Sequence, residues 1–236
     1  QLAVQGKLVP QDPNDEPADG AIESIRKQRN AFPTRKRQST PAEAVGPDEL
    51  LFTPPEHWRW LRMEDIAFDA MTGLDRGRTF QSPDNQFAYF KMNNISNDGE
   101  CNFDNLTRID VDEAEVAKFK LDDGDFLFNT RNSSDLVGKT CIYRGAKESP
   151  VLFNNNILRI RLPDQFTPDF LHIWFWSPVG REYLAERKSS TTNVAAIYQG
   201  KLMTMPVPVA PLSEQKRIVS KVTHLLSQVT RLESTL

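Results

Sequence analysis

The feature that most constrains this chain is its last segment, PLSEQKRIVSKVTHLLSQVTRLESTL. Ile218, Val222, Leu225, Val229, Leu232 and Leu236 follow one another at spacings of four, three, four, three and four residues. An apolar repeat of this kind keeps one narrow stripe of a helix on the same side turn after turn, which is the seam of a coiled coil rather than a broad amphipathic face. Leu226 widens the stripe by one position. Leaving such side chains in water forgoes about 1.5–3 kcal/mol each. The segment from Ser213 to Leu236 is therefore expected to be one helix whose seam meets either the N-terminal segment or a neighbouring chain. The plainer alternative is a surface helix packed on its own domain.

Upstream, composition divides the chain. Residues 1–30 read as the end of a helix closed by Pro10, then the turn-rich PQDPNDEPADG, then a short helix from about Gly20 to Asn30. Asp19 can cap that helix, with Ile22 and Ile25 on one face and Arg26, Lys27 and Arg29 around the other. Residues 31–57 are rich in Pro, Ser, Thr and charge, have no period, and read as a connector. Their basic cluster, Arg35, Lys36 and Arg37, is more simply a solvated loop than a nucleic-acid contact. Residues 58–208 carry the signals of a compact mixed α+β domain, and 209–236 form the heptad helix.

Within 58–208, Ala88–Met92, Asp125–Phe128, Lys139–Arg144 and Ile157–Leu162 are short strand candidates. ILRIRL alternates, but its two faces are too mixed to say which is core. Asp122-Asp123-Gly124 is a turn feeding one strand. Thr167-Pro168 and Ser177-Pro178 are cap and first-turn pairs for two helices, through about Trp176 and about Arg187. Asn193 can cap a short helix before MTMPVPV, whose prolines favour an edge.

At 236 residues and 39% hydrophobic content, the chain can bury roughly 70% of its extended surface and needs no staples. Cys101 and Cys141 cannot frame a disulfide scaffold and read as small buried residues of a reducing, cytoplasmic protein. No run reaches the roughly 18 apolar residues of a membrane span, and the first residues lack a signal-peptide pattern. The chain begins at Gln1 and ends inside a periodic pattern, so it reads as a piece of a longer protein. Its net charge of -3 conceals a split: Asp98 to Asp125 holds ten acidic and three basic residues, Phe126 to Ala210 ten basic and six acidic. Such a division could turn a basic part toward a polyanion.

Catalytic motifs are missing. His57, His172 and His224 stand far apart and outside zinc-site spacings, and there is no GxGxxG, GxxxxGKS or GxSxG. His172, beside Trp174 and Trp176, reads as an aromatic packing residue rather than a base. TPPE at 53–56 lacks the amide and the aromatic that an amino-methyltransferase loop needs. Pro168-Asp169 with Glu186-Arg187-Lys188 satisfies a PD…ExK nuclease pattern, but both carboxylates fall on predicted helices with no strand to hold them around a metal.

Polar loops are more informative. Lys91, Asn93 and Asn94; Arg131, Asn132, Ser133 and Ser134, with Lys139; Asn154, Asn155 and Asn156; and Lys188, Ser190, Thr191, Thr192 and Asn193 concentrate amides, hydroxyls and cations. Asn pairs bidentately with adenine and Arg with guanine in the major groove, while Ser, Thr and Lys suit phosphates. Arg131 is the first choice for a base contact, with an ion pair to Asp135 as its alternative; Lys139 and Lys188 suit phosphate. Asn/Ser-rich loops are also what ordinary turns look like.

The order AYFKMNNISNDG from Ala88, KLDDGDFLFN from Lys120, LVGK from Leu136 and NILRIR from Asn156 resembles the target recognition domain of the specificity subunit of type I restriction-modification enzymes. PVAPLSEQKRIVSK at 208–221 resembles the family's Pro-Leu-x-Glu-Gln-x-x-Ile-Val junction into a long conserved helix. AVQGKLVPQDPNDEP from Ala3 resembles the exit of the preceding helix, and PPEHWRWLRMEDI from Pro54 the entry to a recognition domain, with His57 where glycine is common. The resemblance spans essentially the whole chain. It implies one recognition domain with stubs of conserved helix, reading half of a split double-stranded DNA target beside a second recognition domain. It also implies no catalysis and no cofactor in this chain: adenine-N6 methylation with S-adenosylmethionine falls to modification subunits, and ATP- and Mg²⁺-dependent cleavage to a restriction subunit. A protein-interaction scaffold without DNA binding is the competing class, and the PD…ExK nuclease a more distant one.

Overall fold

The computed structural model describes residues 1–31, 43–146, 150–191 and 194–233. In chain order they form α1 (Ala18–Ala31), β1 (Arg59–Arg62), α2 (Met63–Ile66), β2 (Asp69–Thr72), β3 (Phe87–Phe90), β4 (Thr107–Ile109), α3 (Glu113–Phe119), β5 (Phe126–Asn129), β6 (Arg131–Asn132), β7 (Thr140–Ile142), β8 (Val151–Phe153), β9 (Ile157–Arg161), α4 (Pro168–Trp176), α5 (Pro178–Arg187), β10 (Ser189–Ser190), β11 (Ala195–Ala196), α6 (Gln199–Met203), β12 (Pro206–Val209) and α7 (Leu212–Glu233). This is the mixed α+β class expected from the sequence, with its long C-terminal helix. The chain folds into two compact units, one from Gln1–Phe68, Pro163–Tyr183 and Met203–Leu236, the other from Asp69–Leu162 and Leu184–Leu202.

In the first unit the N-terminal 3-10 turn and the start of α7 meet the aromatic helix α4. Thr167 accepts a hydrogen bond from the Phe170 N–H and Pro168 opens α4, so the cap and the fixed φ of proline start the helix where the sequence places it. The Ser177 hydroxyl accepts from the Gly180 N–H at 3.0 Å and restarts the chain as α5. Gly180 is needed there because a Cβ would lie 2.0 Å from the Trp174 carbonyl oxygen. The buried face of α4 carries Phe170 and Trp174, which meet Trp58 and Trp60 at ring centroids 5.8 and 5.7 Å apart. β1 pairs antiparallel with β12, from Arg59↔Val209 to Arg62↔Pro206. A two-stranded ribbon tolerates Pro206 and Pro208 because each strand has a free edge for the missing N–H.

Two local expectations are corrected. Asp19 lies inside the first turn of α1, which starts at Ala18, and its carboxylate holds Arg59 at 2.9 and 2.6 Å instead of capping. The first residues form one 3-10 turn, Ala3–Gln5, because Gly6 at φ 67° ends it in the left-handed region. The buried face of α1 does carry Ile22 and Ile25.

The second unit is built on the antiparallel sheet β2-β9-β5-β7 and the mixed sheet β4-β3-β8, where β3 runs parallel to β8. Phe90, Leu127, Cys141, Val151, Phe153 and Ile157 form part of one apolar cluster. The ambiguity of ILRIRL has a physical answer: β9 lies between β2 and β5 with Ile157, Leu158, Arg159 and Ile160 all buried. Arg159 is held by Asp69 at 2.6 Å, and Arg161 by Asp122 and Asp125 at 2.6 and 2.7 Å. Two of the basic residues in the positive half of the chain are therefore already paired with carboxylates of the same unit, and Arg159 is buried in that pairing.

Candidate nucleic-acid interface

All four polar segments belong to the second unit, and hydrogen bonds tie them together. Asn154 N–H donates to the Phe90 carbonyl, just before Lys91, at 2.9 Å. The Asn156 carbonyl accepts from the Thr130 N–H and hydroxyl at 2.9 and 3.0 Å and from the Asn129 amide at 3.1 Å. Antiparallel pairing sets Arg131 opposite Ala196 and Asn132 opposite Ala195, and β11 pairs in turn with Ser189 and Ser190. Lys188 Nζ reaches the Ser134 hydroxyl at 3.0 Å. The loops thus stand on a sheet framework that restrains their backbone, as a reading surface requires.

Not every candidate faces outward. Asn94, Lys139 and Asn154 are buried, which corrects their expected contact role. Asn94 caps the Lys91 N–H at 2.9 Å and donates to the Asn102 carbonyl. Asn154 donates to the Tyr89 hydroxyl at 2.9 Å and accepts from the Asn156 N–H. Lys139 Nζ donates to the Ile95 carbonyl, and burial pulls its ammonium below the ordinary lysine range. These three residues build the loops. The sequence signal misleads because a side chain that shapes a turn and one that reads a base share the same chemistry.

Asn93, Arg131, Ser133, Ser134, Ser190 and Thr191 are exposed, and Lys91, Asn132, Asn155, Asn156 and Lys188 are half-buried. Lys91 also holds Gln81 at 3.1 Å, and the Asn132 amide donates to Asn129 at 2.9 Å. Among the described residues, the Arg131 guanidinium has no hydrogen-bond or ion-pair partner, so the alternative pairing with Asp135 is not made. Thr192 and Asn193 lie outside the described residues.

A groove of about 200 Å³ opens beside Arg131, lined also by Thr72, Thr130, Asn155, Asn156, Ala196, Tyr198 and Gln199. Thr72, Tyr198 and Gln199 escaped the sequence reading. Tyr198 sits in a run of small apolar residues, and only the pairing of β11 with β6 brings it to the polar loops.

The helix seam is divided. Ile218 is fully buried and Val222 half-buried, whereas Leu225, Val229 and Leu232 are 38%, 50% and 67% exposed; Leu236 lies outside the described residues. The start of α7 is tied to the N-terminal segment through Asp15, which accepts from Ser213 at 2.6 Å and from Arg217 at 2.9 and 2.5 Å. The Arg217 hydrogen bonds hold the Asp15 carboxyl below its usual range.

Of the nuclease pattern, Asp169 lies in the first turn of α4 and Glu186 near the end of α5. Among the described residues no three His, Cys, Asp or Glu side chains group as a metal site. His172 packs on Trp176, ring centroids 5.7 Å apart, and burial depresses its imidazole to about 4. Cys101 and Cys141 are free thiols; burial first, then the Cys101 contact, pushes the Cys141 thiol well up.

This chain is similar to specificity subunits of type I restriction enzymes, the family its motifs resemble. It is 24% identical to the EcoEI specificity subunit of Escherichia coli over all of this chain and 40% of that protein. It is 26% identical to the EcoAI subunit of Escherichia coli over 99% of this chain and 39% of that protein. A putative MjaX specificity subunit of Methanocaldococcus jannaschii is 28% identical over 70% of this chain and 38% of its own length. The chain thus spans about two fifths of the length of these relatives. No family model matches. In fold, it superposes on the HsdS subunit of Thermoanaerobacter tengcongensis with a TM-score of 0.56 at 17% identity, over 92% of this chain and 47% of that one. A chain from a study of type I R-M complex assembly gives the same TM-score at 18% identity, over 92% and 48%.

Proposed function

We propose that this chain is the DNA-reading part of a type I specificity subunit and recognises one half of a split double-stranded target. The observation that carries the reading is the convergence of the four polar segments on one framework, with Arg131 exposed and unpartnered among the described residues. In B-DNA a guanidinium fork matches guanine O6 and N7, and exposed amides match adenine, while hydroxyls and Lys188 suit phosphates. The specificity-subunit relatives agree with this role. On this reading the chain is not an enzyme and carries no cofactor. Adenine-N6 methylation with S-adenosylmethionine belongs to modification subunits, and ATP- and Mg²⁺-dependent restriction to a further subunit. A second recognition domain, in the same or a paired chain, reads the other half-site. The expected location is the cytoplasm; among the described residues no helix is long and apolar enough to cross a membrane.

The exposed Leu225, Val229 and Leu232 give specific support to a helix partner. That scaffold role accompanies DNA reading rather than replacing it, since it leaves the polar convergence without a purpose. Selection of the assembled parent subunit against a random-sequence duplex pool tests the reading: a defined half-site should be enriched. A pool that stays random would refute it, and labelled methyl transfer or Mg²⁺-dependent cleavage by the purified chain alone would overturn the non-catalytic assignment.

A further inference from the structure

We infer that Tyr198 reads the 5-methyl group of a thymine in the major groove, beside the base pair that Arg131 contacts. The inference rests on the proposed DNA-reading role and adds a specificity-determining residue to it. Tyr198 is 56% exposed. Among the described residues its ring has no aromatic partner and its hydroxyl no hydrogen bond. An aromatic side chain with so much apolar surface is ordinarily buried when the fold has a use for it internally; this one lines the same groove as Arg131 and Asn155.

Its backbone is held on both sides. Ile197 is buried and its N–H donates to the Thr130 carbonyl at 2.9 Å, while the Tyr198 carbonyl accepts the Leu202 N–H at 3.0 Å at the start of α6. Ala196, two residues earlier, is the register partner of Arg131. The phenol and the guanidinium therefore stand on neighbouring, paired backbone segments, and whatever Arg131 approaches, Tyr198 approaches beside it.

The chemistry of the groove then selects the target. If Arg131 engages guanine O6 and N7, its neighbours face the major-groove edges of adjoining base pairs, where the thymine methyl is the one apolar group available. An aromatic ring buries that methyl without needing a hydrogen bond. Insertion of the ring between bases is the costlier alternative, since it requires the duplex to unstack and kink.

The test uses the full-length parent subunit assembled with its modification subunits, and duplex pools selected with wild type, Tyr198→Ala, Tyr198→Phe and Arg131→Ala. Tyr198→Ala should lose a preference for thymine at one position next to the guanine whose preference Arg131→Ala loses, and Tyr198→Phe should keep it because the ring remains. Replacing that thymine by deoxyuridine should weaken wild-type binding by about fourfold, the effect of one unburied methyl, and leave Tyr198→Ala unchanged. The deoxyuridine comparison on wild type needs no variant to fold. An unchanged motif for Tyr198→Ala, an even loss at every position, or equal wild-type binding to thymine and deoxyuridine would overturn the inference while leaving DNA reading intact. A wild-type pool that enriches nothing removes the underlying reading, and this inference with it.

Discussion

The carboxylate of Glu214, buried at the start of α7, accepts a hydrogen bond at 2.8 Å from the indole N–H of Trp58. The same carboxylate receives Gln11 at 2.7 Å and faces His57 at 3.2 Å. Its neighbour Gln215 accepts from the Thr167 N–H at 2.9 Å and donates to the Ala210 carbonyl at 2.8 Å. The Glu-Gln pair of the junction motif is thus a clamp that joins the N-terminal segment, the entry to β1, the cap of α4 and the first turn of α7 within one unit. Its chemistry is structural: it satisfies buried donors that would otherwise be stranded.

Glu214→Ala should therefore destabilise the first unit by about 1–3 kcal/mol for each buried donor left unsatisfied. Glu214→Gln should cost less, because its carbonyl can still serve Trp58. Thermal unfolding followed through tryptophan fluorescence measures both. An alanine variant as stable as wild type would show that the clamp is dispensable.

The exposed end of α7 behaves differently. Because Leu225 and Leu232 are exposed, at 38% and 67%, replacing both with Asp should cost the fold less than about 1 kcal/mol, the range of surface substitutions rather than of core ones. The same change should abolish assembly with a helix partner. Denaturant unfolding and sedimentation of the parent protein with its partner subunits separate the two effects; a large loss of folding stability would mean that the stripe belongs to this chain's own core.

Much of this molecule was legible in advance, and the reasons are local. Thr167-Pro168 announces α4 and the Asp122–Gly124 turn announces β5 because a cap and a tight turn need only neighbouring atoms. Long-range polar structure is a different matter. That Arg159 would be buried against Asp69, that Asn94 and Asn154 would brace loops instead of facing solvent, and that Tyr198 would stand beside Arg131 depends on strand pairing, which neither spacing nor composition encodes. The polar segments were therefore recognisable as candidates, while telling the buried residues that brace loops from the exposed ones required the fold.

His172 gives the first unit a pH dependence of definite sign. Its folded value, about 4, lies below the ordinary 6.5 because burial disfavours the imidazolium. The unfolded chain takes up the proton more readily, so this contribution is complete above pH 6.5 and is lost as pH falls toward 4. The slope is at most about 1.4 kcal/mol per pH unit, reduced because the ring stays partly exposed. Asp15, whose carboxyl is held below 3.8, contributes in a lower window, lost only as pH passes down through its folded value. Urea unfolding at pH 7 and pH 5 should show the fall, and His172→Phe should flatten it; an equal fall in both proteins would assign it to other groups.

Arg131 and Lys188 should respond differently to DNA sequence. Arg131 is exposed without an internal partner among the described residues, so its fork is available to discriminate guanine. Lys188 is half-buried and touches Ser134 at 3.0 Å, which points its ammonium along the loop where a phosphate can join the hydroxyl. On the proposed DNA-reading role, Arg131→Ala in the parent protein assembled with its proposed modification subunits should cost about 1–3 kcal/mol on the cognate half-site and relax the preference at one base pair. Lys188→Ala should weaken cognate and scrambled duplexes alike and reduce the salt dependence by roughly one ion. Titrations against both duplexes across a range of salt concentrations distinguish the roles. Equal loss on both duplexes for Arg131→Ala would make it a positioning residue, and no loss on either would remove it from the interface. A base-specific loss for Lys188→Ala would reverse the division of labour.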